Sequence, residues 1–403
     1  MRFDFDRVID RSGTYAAKWD HTMAAHGQPA PAELFAGEGP DPISMSVADM
    51  EFAAPPCVLE AMTERVQHGV MGYTMVSDDY REAVAAWQAE RHGWSIEPDW
   101  VLTHHGVLPS LFLAIRAFLK PGDGIILQTP AFPPFFDTVT IHDCRVVINE
   151  LQREGDRYVV DFEGFEKACA QPDVRMFILC NPHNPVGRCF DADELGRMLE
   201  ICKRHDVMIF ADEIHGDLIM PGNKLTPLLS LCDGTSPQVI TGNGLSKTMN
   251  LAGLQLSNVI IPNETLRTAY AEASMEAGIW GMNPISKAGF IAGFREGGPW
   301  LDALLGYVAG NMAFTRDFCA ERLPELSTIP IEGTYLQWFD MRDTSLDEET
   351  LMHRIQSKAR LRVEAGSAFG DGGTGYVRIN VACPRSVVVE AMERLERMFR
   401  AND

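Results

Sequence analysis

The sequence predicts an α/β protein in which a mainly parallel central sheet is flanked by helices and joined to a smaller α+β domain. Three observations predict it. The middle of the chain repeats one order: a short apolar run, a turn rich in Gly, Pro or Asn, then a helical pattern, as parallel βαβ units do. Toward the C-terminus that order gives way to separate strands and helices. Finally, 403 residues, 46% of them apolar and 23% charged, are enough for a large core divided into about two lobes.

Taken in order, residues 1–49 are the least periodic and read as an arm joining the smaller lobe. Apolar runs at 100–103, 124–128, 176–180, 207–211, 239–241 and 258–261 read as strands. Helical patterns fill the gaps at 108–119, 192–205 and 266–277, which makes 50–284 a large domain. The remainder, 285–403, holds the strand-like TYLQWFD (334–340), a helical stretch after Leu346, the alternating GYVRINV (375–381) and a last helix from about Pro384. No period of 20 to 50 residues repeats, so a solenoid or propeller is not expected.

Charge and cysteine content narrow the function. With 35 basic and 56 acidic residues the formal net charge is −21, the wrong sign for nonspecific nucleic-acid binding or an anionic membrane surface. An anionic substrate would need a locally placed arginine. The nine cysteines are scattered without a CxxC pair, and an odd number cannot close wholly into internal bridges. Reduced thiols in a cytoplasmic protein are expected, and no metal site is predicted. The opening stretch MRFDFDRVIDRSGTY lacks the apolar core of a signal peptide, and no run of about 18 apolar residues suggests a membrane span.

The chemistry gathers where strands end. In open α/β sheets ligands bind beyond the carboxyl ends of the strands. Here VMIFA (207–211) runs into Asp212, Glu213, Ile214 and His215, and MFILC (176–180) runs into NPHNPVG (181–187). The run VIT (239–241) leads through Gly242, Asn243, Gly244 and Leu245 to Ser246 and Lys247. Taken singly, each has an ordinary reading: a surface lysine, a helix cap, an Asx turn, a core phenylalanine.

Together, NPHNPVG (181–187), DEIHGDL (212–218), SKTMNLAGL (246–254) and YVRIN (376–380) resemble the fold-type I pyridoxal phosphate (PLP) enzymes of the aspartate aminotransferase superfamily, class I/II, across essentially the whole chain. VADMEF (47–52), HGVMGYT (68–74), DEIH and ACPRS (382–386) resemble its MalY/PatB branch, whose members are typically cystathionine β-lyases or related carbon-sulfur lyases.

The resemblance implies a PLP-dependent transferase-like fold and a role for each matched residue. Lys247 would hold PLP as a Schiff base and then act as the general base that moves the substrate α-proton. Asp212 would keep the pyridine nitrogen protonated, and Asn184 would bond the ring hydroxyl. His215 stands where many relatives carry a tyrosine, and either a direct contact or a supporting place fits it. Phe132 would stack on the ring. The amides of Val107 and Leu108, opening a helix after Gly106, would hold the phosphate with Ser246. Tyr73 matches a tyrosine that crosses a homodimer interface to the partner's phosphate. Arg378, pointing opposite to Val377 and Ile379, would bind the substrate α-carboxylate, with Asn184 and Ala48 of the loop 46–52 also at the substrate.

Two positions depart from the aminotransferase pattern. Gln255 stands where an arginine usually binds phosphate, and Gly244 replaces a usual hydroxyl residue, leaving part of the phosphate cup unassigned. The function implied is β-elimination from L-cystathionine or another S-substituted cysteine, giving thiol, pyruvate and ammonia. The alternatives are transamination between an amino acid and a keto acid, and a regulatory binding protein that keeps the fold.

Overall fold

The computed structural model describes residues 3–19, 40–232 and 238–401. Its centre is a seven-stranded sheet of β1 (Val101–His104), β2 (Gly124–Thr129), β3 (Arg145–Glu150), β4 (Val174–Cys180), β5 (Met208–Asp212), β6 (Val239–Asn243) and β7 (Ser257–Ile260). They lie in the order β1-β7-β6-β5-β4-β2-β3. All neighbours are parallel except β7, which runs antiparallel to both β6 and β1.

Alternation along the strands divides the core in two. Ile125, Leu127, Met176, Ile178, Phe210, Ile240 and Val259 pack on one face, while Ile126, Phe177, Leu179, Ile209, Ala211, Val239 and Ile260 pack on the other. A sheet covered on both faces has apolar residues at successive positions, so these strands read as continuous apolar runs. The exception is β3, an edge strand in which only Val147 and Asn149 are buried. Its alternating pattern did not stand out from the sequence, and neither did the hairpin of Gln152–Glu154 with Arg157–Val159.

The helices that position the site are α1 (Asp78–His92), α2 (Val107–Phe118), α3 (Ala192–Arg204) and the single turn α4 (Leu245–Thr248). A capping box starts α3, with Asp191 and Glu194 exchanging side chain and backbone bonds. A second sheet of four strands carries Leu336–Asp340 at its centre, paired antiparallel with Tyr376–Asn380. Ile43–Ser44 pairs with Leu361–Arg362, tying the early chain to the late one.

Candidate active site

Register brings the strand ends level. Cys180 lies beside Asp212, and Asp212 beside Gly242, so the turns that follow β4, β5 and β6 emerge along one edge. A Cβ on Gly242 would sit 2.7 Å from Val107 Cγ1, a distance no pair of carbons tolerates. Glycine there lets the first turn of α2 rest directly on the end of β6. Gly244 then takes φ +149°, which disfavours any side chain, and a Cβ there would lie 3.3 Å from Ser257 Cα. That is a physical reason why no hydroxyl residue occupies this position. Gln255, the other departure, is exposed in the left-handed region at φ 49°.

Lys247 projects from α4, and its Nζ donates to the carbonyl oxygen of Ala48 at 2.7 Å. Burial lowers its ammonium to about 8; the charge of Asp49 opposes this, that of Arg378 adds to it, and then Asp212 raises it and Lys18 lowers it by smaller amounts. A lysine so placed loses its proton far more readily than an exposed one. Asp212 is buried, and its Oδ1 accepts from the Ile214 amide at 3.0 Å. Burial pushes its carboxyl up to about 6, against that hydrogen bond and the charge of Lys247, so it is still mostly ionised at neutral pH.

The guanidinium of Arg378 is buried on the strand Tyr376–Asn380. Its Nη1 donates to Asn184 Oδ1 and its Nη2 to the oxygen of Ser46, both at 3.0 Å, and it stacks 4.9 Å over Phe369. Asn184 thereby spends its oxygen on Arg378 and keeps its amide group for another partner. His215 lies with its ring edge-on to Tyr335 at 5.9 Å, and burial followed by the charges of Lys247 and Arg378 lowers it to about 3. The imidazole is therefore neutral.

The loop 46–52 is held from several sides. Asn380 Nδ2 donates to the oxygens of Val47 and Asp49, and Asn250 bonds Met50 and Phe52. Asp49 and Glu51 pair with Arg11 and Lys18 of the N-terminal segment, which accounts for both acids structurally.

These buried groups meet the test for PLP. His215 Nδ1 and Arg378 Nε are buried without a hydrogen-bond partner, which is costly unless a polar ligand supplies one. At the other end, α2 begins at Gly106 with no side-chain cap, leaving the Val107 and Leu108 amides and the helix dipole available to an anion. Ser246 is half-buried beside Lys247, and Phe132, also half-buried, caps the helix Pro133–Ile141 with its ring edge-on to Phe135.

Lys247, Asp212, Asn184, His215, Arg378 and Ala48 thus come together, linked by hydrogen bonds or by the charges they exert on one another. Tyr73 does not join them: it is 92% exposed and packs against Trp280 at 5.2 Å. Sequence reasoning missed Tyr335, whose hydroxyl donates to Ala48 at 2.8 Å, and the bond of Asp217 with Thr248. Tyr335, Asp217 and Thr248 all lay inside the quoted segments, but only the fold shows what they touch.

Known proteins identify the family. A family model described as aminotransferase class I and II matches residues 40–395. Cystathionine beta-lyase PatB of Bacillus subtilis is 35% identical, covering 98% of this chain and 99% of its own. Protein MalY of Escherichia coli is 30% identical over 99% of both chains. The crystal structure of cystalysin from Treponema denticola, which contains a pyridoxal 5'-phosphate cofactor, superposes with a TM-score of 0.93 at 35% identity, covering 99% of each chain. With strand ends, a half-buried lysine and a full-length match in agreement, this chain belongs to the class I and II aminotransferase family, in the branch that holds PatB and MalY.

Proposed function

We propose that the protein is a PLP-dependent carbon-sulfur β-lyase that cleaves L-cystathionine or a related S-substituted cysteine to a thiol, pyruvate and ammonia. The observation that carries this reading is the full-length match to a cystathionine beta-lyase in a chain whose lysine, aspartate, asparagine and arginine share one buried cluster.

Bound PLP supplies an electron-accepting ring that stabilises negative charge at the substrate α-carbon. The Asp212 carboxylate, ionised above about 6, is the group that would pair with the pyridine nitrogen and favour its protonated form. Asn184 would give its amide group to the ring oxygen, Phe132 would cover one ring face, and neutral His215 would support the same edge. The Val107 and Leu108 amides with Ser246 would hold the phosphate.

Arg378 binds the α-carboxylate through parallel N–H bonds, already oriented by Asn184 and Ser46. Lys247 would hold the cofactor, and its amine, with a pKa lowered to about 8, is suited to accept the α-proton at Nζ. Loss of the β-thiolate and hydrolysis of the remaining three-carbon fragment give the products.

The active unit is a homodimer in this reading. Val70, Met71, Tyr73 and Met75 are exposed apolar residues within six positions of one another, and Tyr73 packs on the exposed Trp280. Tyr73 of each protomer would reach the phosphate of the other. Free thiols such as Cys57, Cys144, Cys180 and Cys319 support a reducing, cytoplasmic location. Among the described residues no helix is long and apolar enough to cross a membrane.

The test is to incubate the purified protein with cystathionine and measure pyruvate, thiol and keto-acid products side by side. Pyruvate and thiol released in equal amounts without added keto acid support the lyase. Turnover that requires a keto acid and releases no pyruvate would overturn it in favour of transamination.

A further inference from the structure

Asp217 accepts hydrogen bonds from three side chains, and none of them belongs to the cluster around the cofactor site. Its Oδ1 accepts from Trp87 Nε1 at 2.9 Å and from His92 Nε2 at 2.8 Å, in the tautomer that carries a proton there. Its Oδ2 accepts from the Thr248 hydroxyl at 2.8 Å. The side chains of Asp217 and His92 are only 9% and 8% exposed. Burial alone would raise this carboxyl, but the bond and charge of His92, then Thr248 and Trp87, hold it below the usual carboxylate range. It therefore stays ionised, with both of its oxygens hydrogen-bonded.

These contacts join three elements. Trp87 and His92 lie on α1, Asp217 closes the turn that begins at Asp212, and Thr248 directly follows Lys247. The helix that carries Lys247 needs such support. A single turn is unstable by itself, because its few hydrogen bonds do not offset the ordering of its backbone. Gly244, the most permissive residue, enters it, and the left-handed Asn250 at φ 58° follows it. Asn250 ties one side to Met50 and Phe52, and the Asp217–Thr248 bond ties the side that faces α1.

We propose that Asp217, acting through Thr248, is a positioning residue that fixes the rotation of α4 and so the direction in which Lys247 presents its amine. This rests on the reading of Lys247 as the cofactor-binding lysine and base. Asp217 touches neither cofactor nor substrate; a small turn of α4 is multiplied along the four-carbon lysine stem into a large displacement of Nζ.

The test compares Thr248→Val, Thr248→Ser and Asp217→Asn as holoenzymes. Thr248→Val keeps the shape and removes the hydroxyl. It should lower kcat for pyruvate release by roughly tenfold or more with KM within about twofold, and displace the pH at which the visible band of the lysine-bound cofactor titrates. Its melting temperature should fall by only a few degrees. Thr248→Ser should restore both kcat and the band titration, and Asp217→Asn should resemble Thr248→Val.

Wild-type kcat and band titration in Thr248→Val would overturn the proposal, as would a Thr248→Ser variant as impaired as Thr248→Val. If the wild-type protein releases no pyruvate, the lyase reading fails, while the band titration of the two threonine variants still decides the positioning role.

Discussion

The amine of Lys247 and the hydroxyl of Tyr335 donate to one acceptor, the carbonyl oxygen of Ala48, at 2.7 and 2.8 Å. A carbonyl has two lone-pair positions, and here both are used. The lysine is thereby held against the loop 46–52, the same loop whose Ser46 oxygen receives Arg378. One short stretch of main chain sets the relation between the proton-moving group and the carboxylate-binding group.

Tyr335→Phe should therefore disturb Lys247 without touching it. The variant leaves Ala48 with one donor and lets the amine move, so kcat is expected to fall about three- to tenfold, with a stability loss of about 1 kcal/mol. Steady-state pyruvate release and denaturant unfolding check the two parts.

Asp212 gives a pH-dependent prediction whose sign can be worked out. Its pKa rises from 3.8 in the unfolded chain to about 6 in the buried site. Between these values the native chain binds more protons than the unfolded one, so this residue's contribution falls as pH rises and its cost is complete above about 6. In PLP-free protein, Asp212→Asn should thus raise stability at pH 8 by about 2–3 kcal/mol, and by little at pH 3. The same variant should bind PLP more weakly and lose pyruvate release by on the order of a hundredfold or more. Unfolding curves of the PLP-free proteins at the two pH values, beside holoenzyme assays, measure both sides.

Arg378→Lys keeps the charge and loses the planar fork. A lysine cannot bond Asn184, Ser46 and a carboxylate in one plane, so KM for the amino-acid substrate should rise about tenfold or more while PLP stays bound. Kinetics with the cofactor absorbance followed in parallel separates the two effects.

Much of this site was legible in the sequence, because it sits where apolar runs end. Strands buried on both faces stand out, and the polar residues that follow them, Asn184 after Cys180 and Asp212 after Ala211, mark the ligand edge without knowledge of the fold. Arg145–Glu150 was not legible, since an edge strand with exposed charges lacks the apolar run. The antiparallel direction of Ser257–Ile260 was also hidden, because composition carries no sense of direction. Tyr335 and Asp217 were out of reach for another reason: their partners lie 287 and 31 residues away, and only packing brings them together.

Tyr73→Phe tests the shared site. Its ring is 92% exposed on the single chain and should be covered in a dimer. Loss of the hydroxyl should leave the dimer intact but speed PLP release severalfold, in line with about 1 kcal/mol for one hydrogen bond. Cofactor loss on dialysis, read by absorbance, together with the sedimentation behaviour of the variant, checks it.

The most direct measurement is chemical. Borohydride fixes a lysine-bound cofactor as a stable amine, and peptide mass spectrometry then locates it. The account predicts a pyridoxyl increment on the peptide containing Lys247 and no increment in Lys247→Ala, which should also be devoid of pyruvate release. A label on any other lysine, or an unlabelled Lys247 in protein that still releases pyruvate, would contradict it.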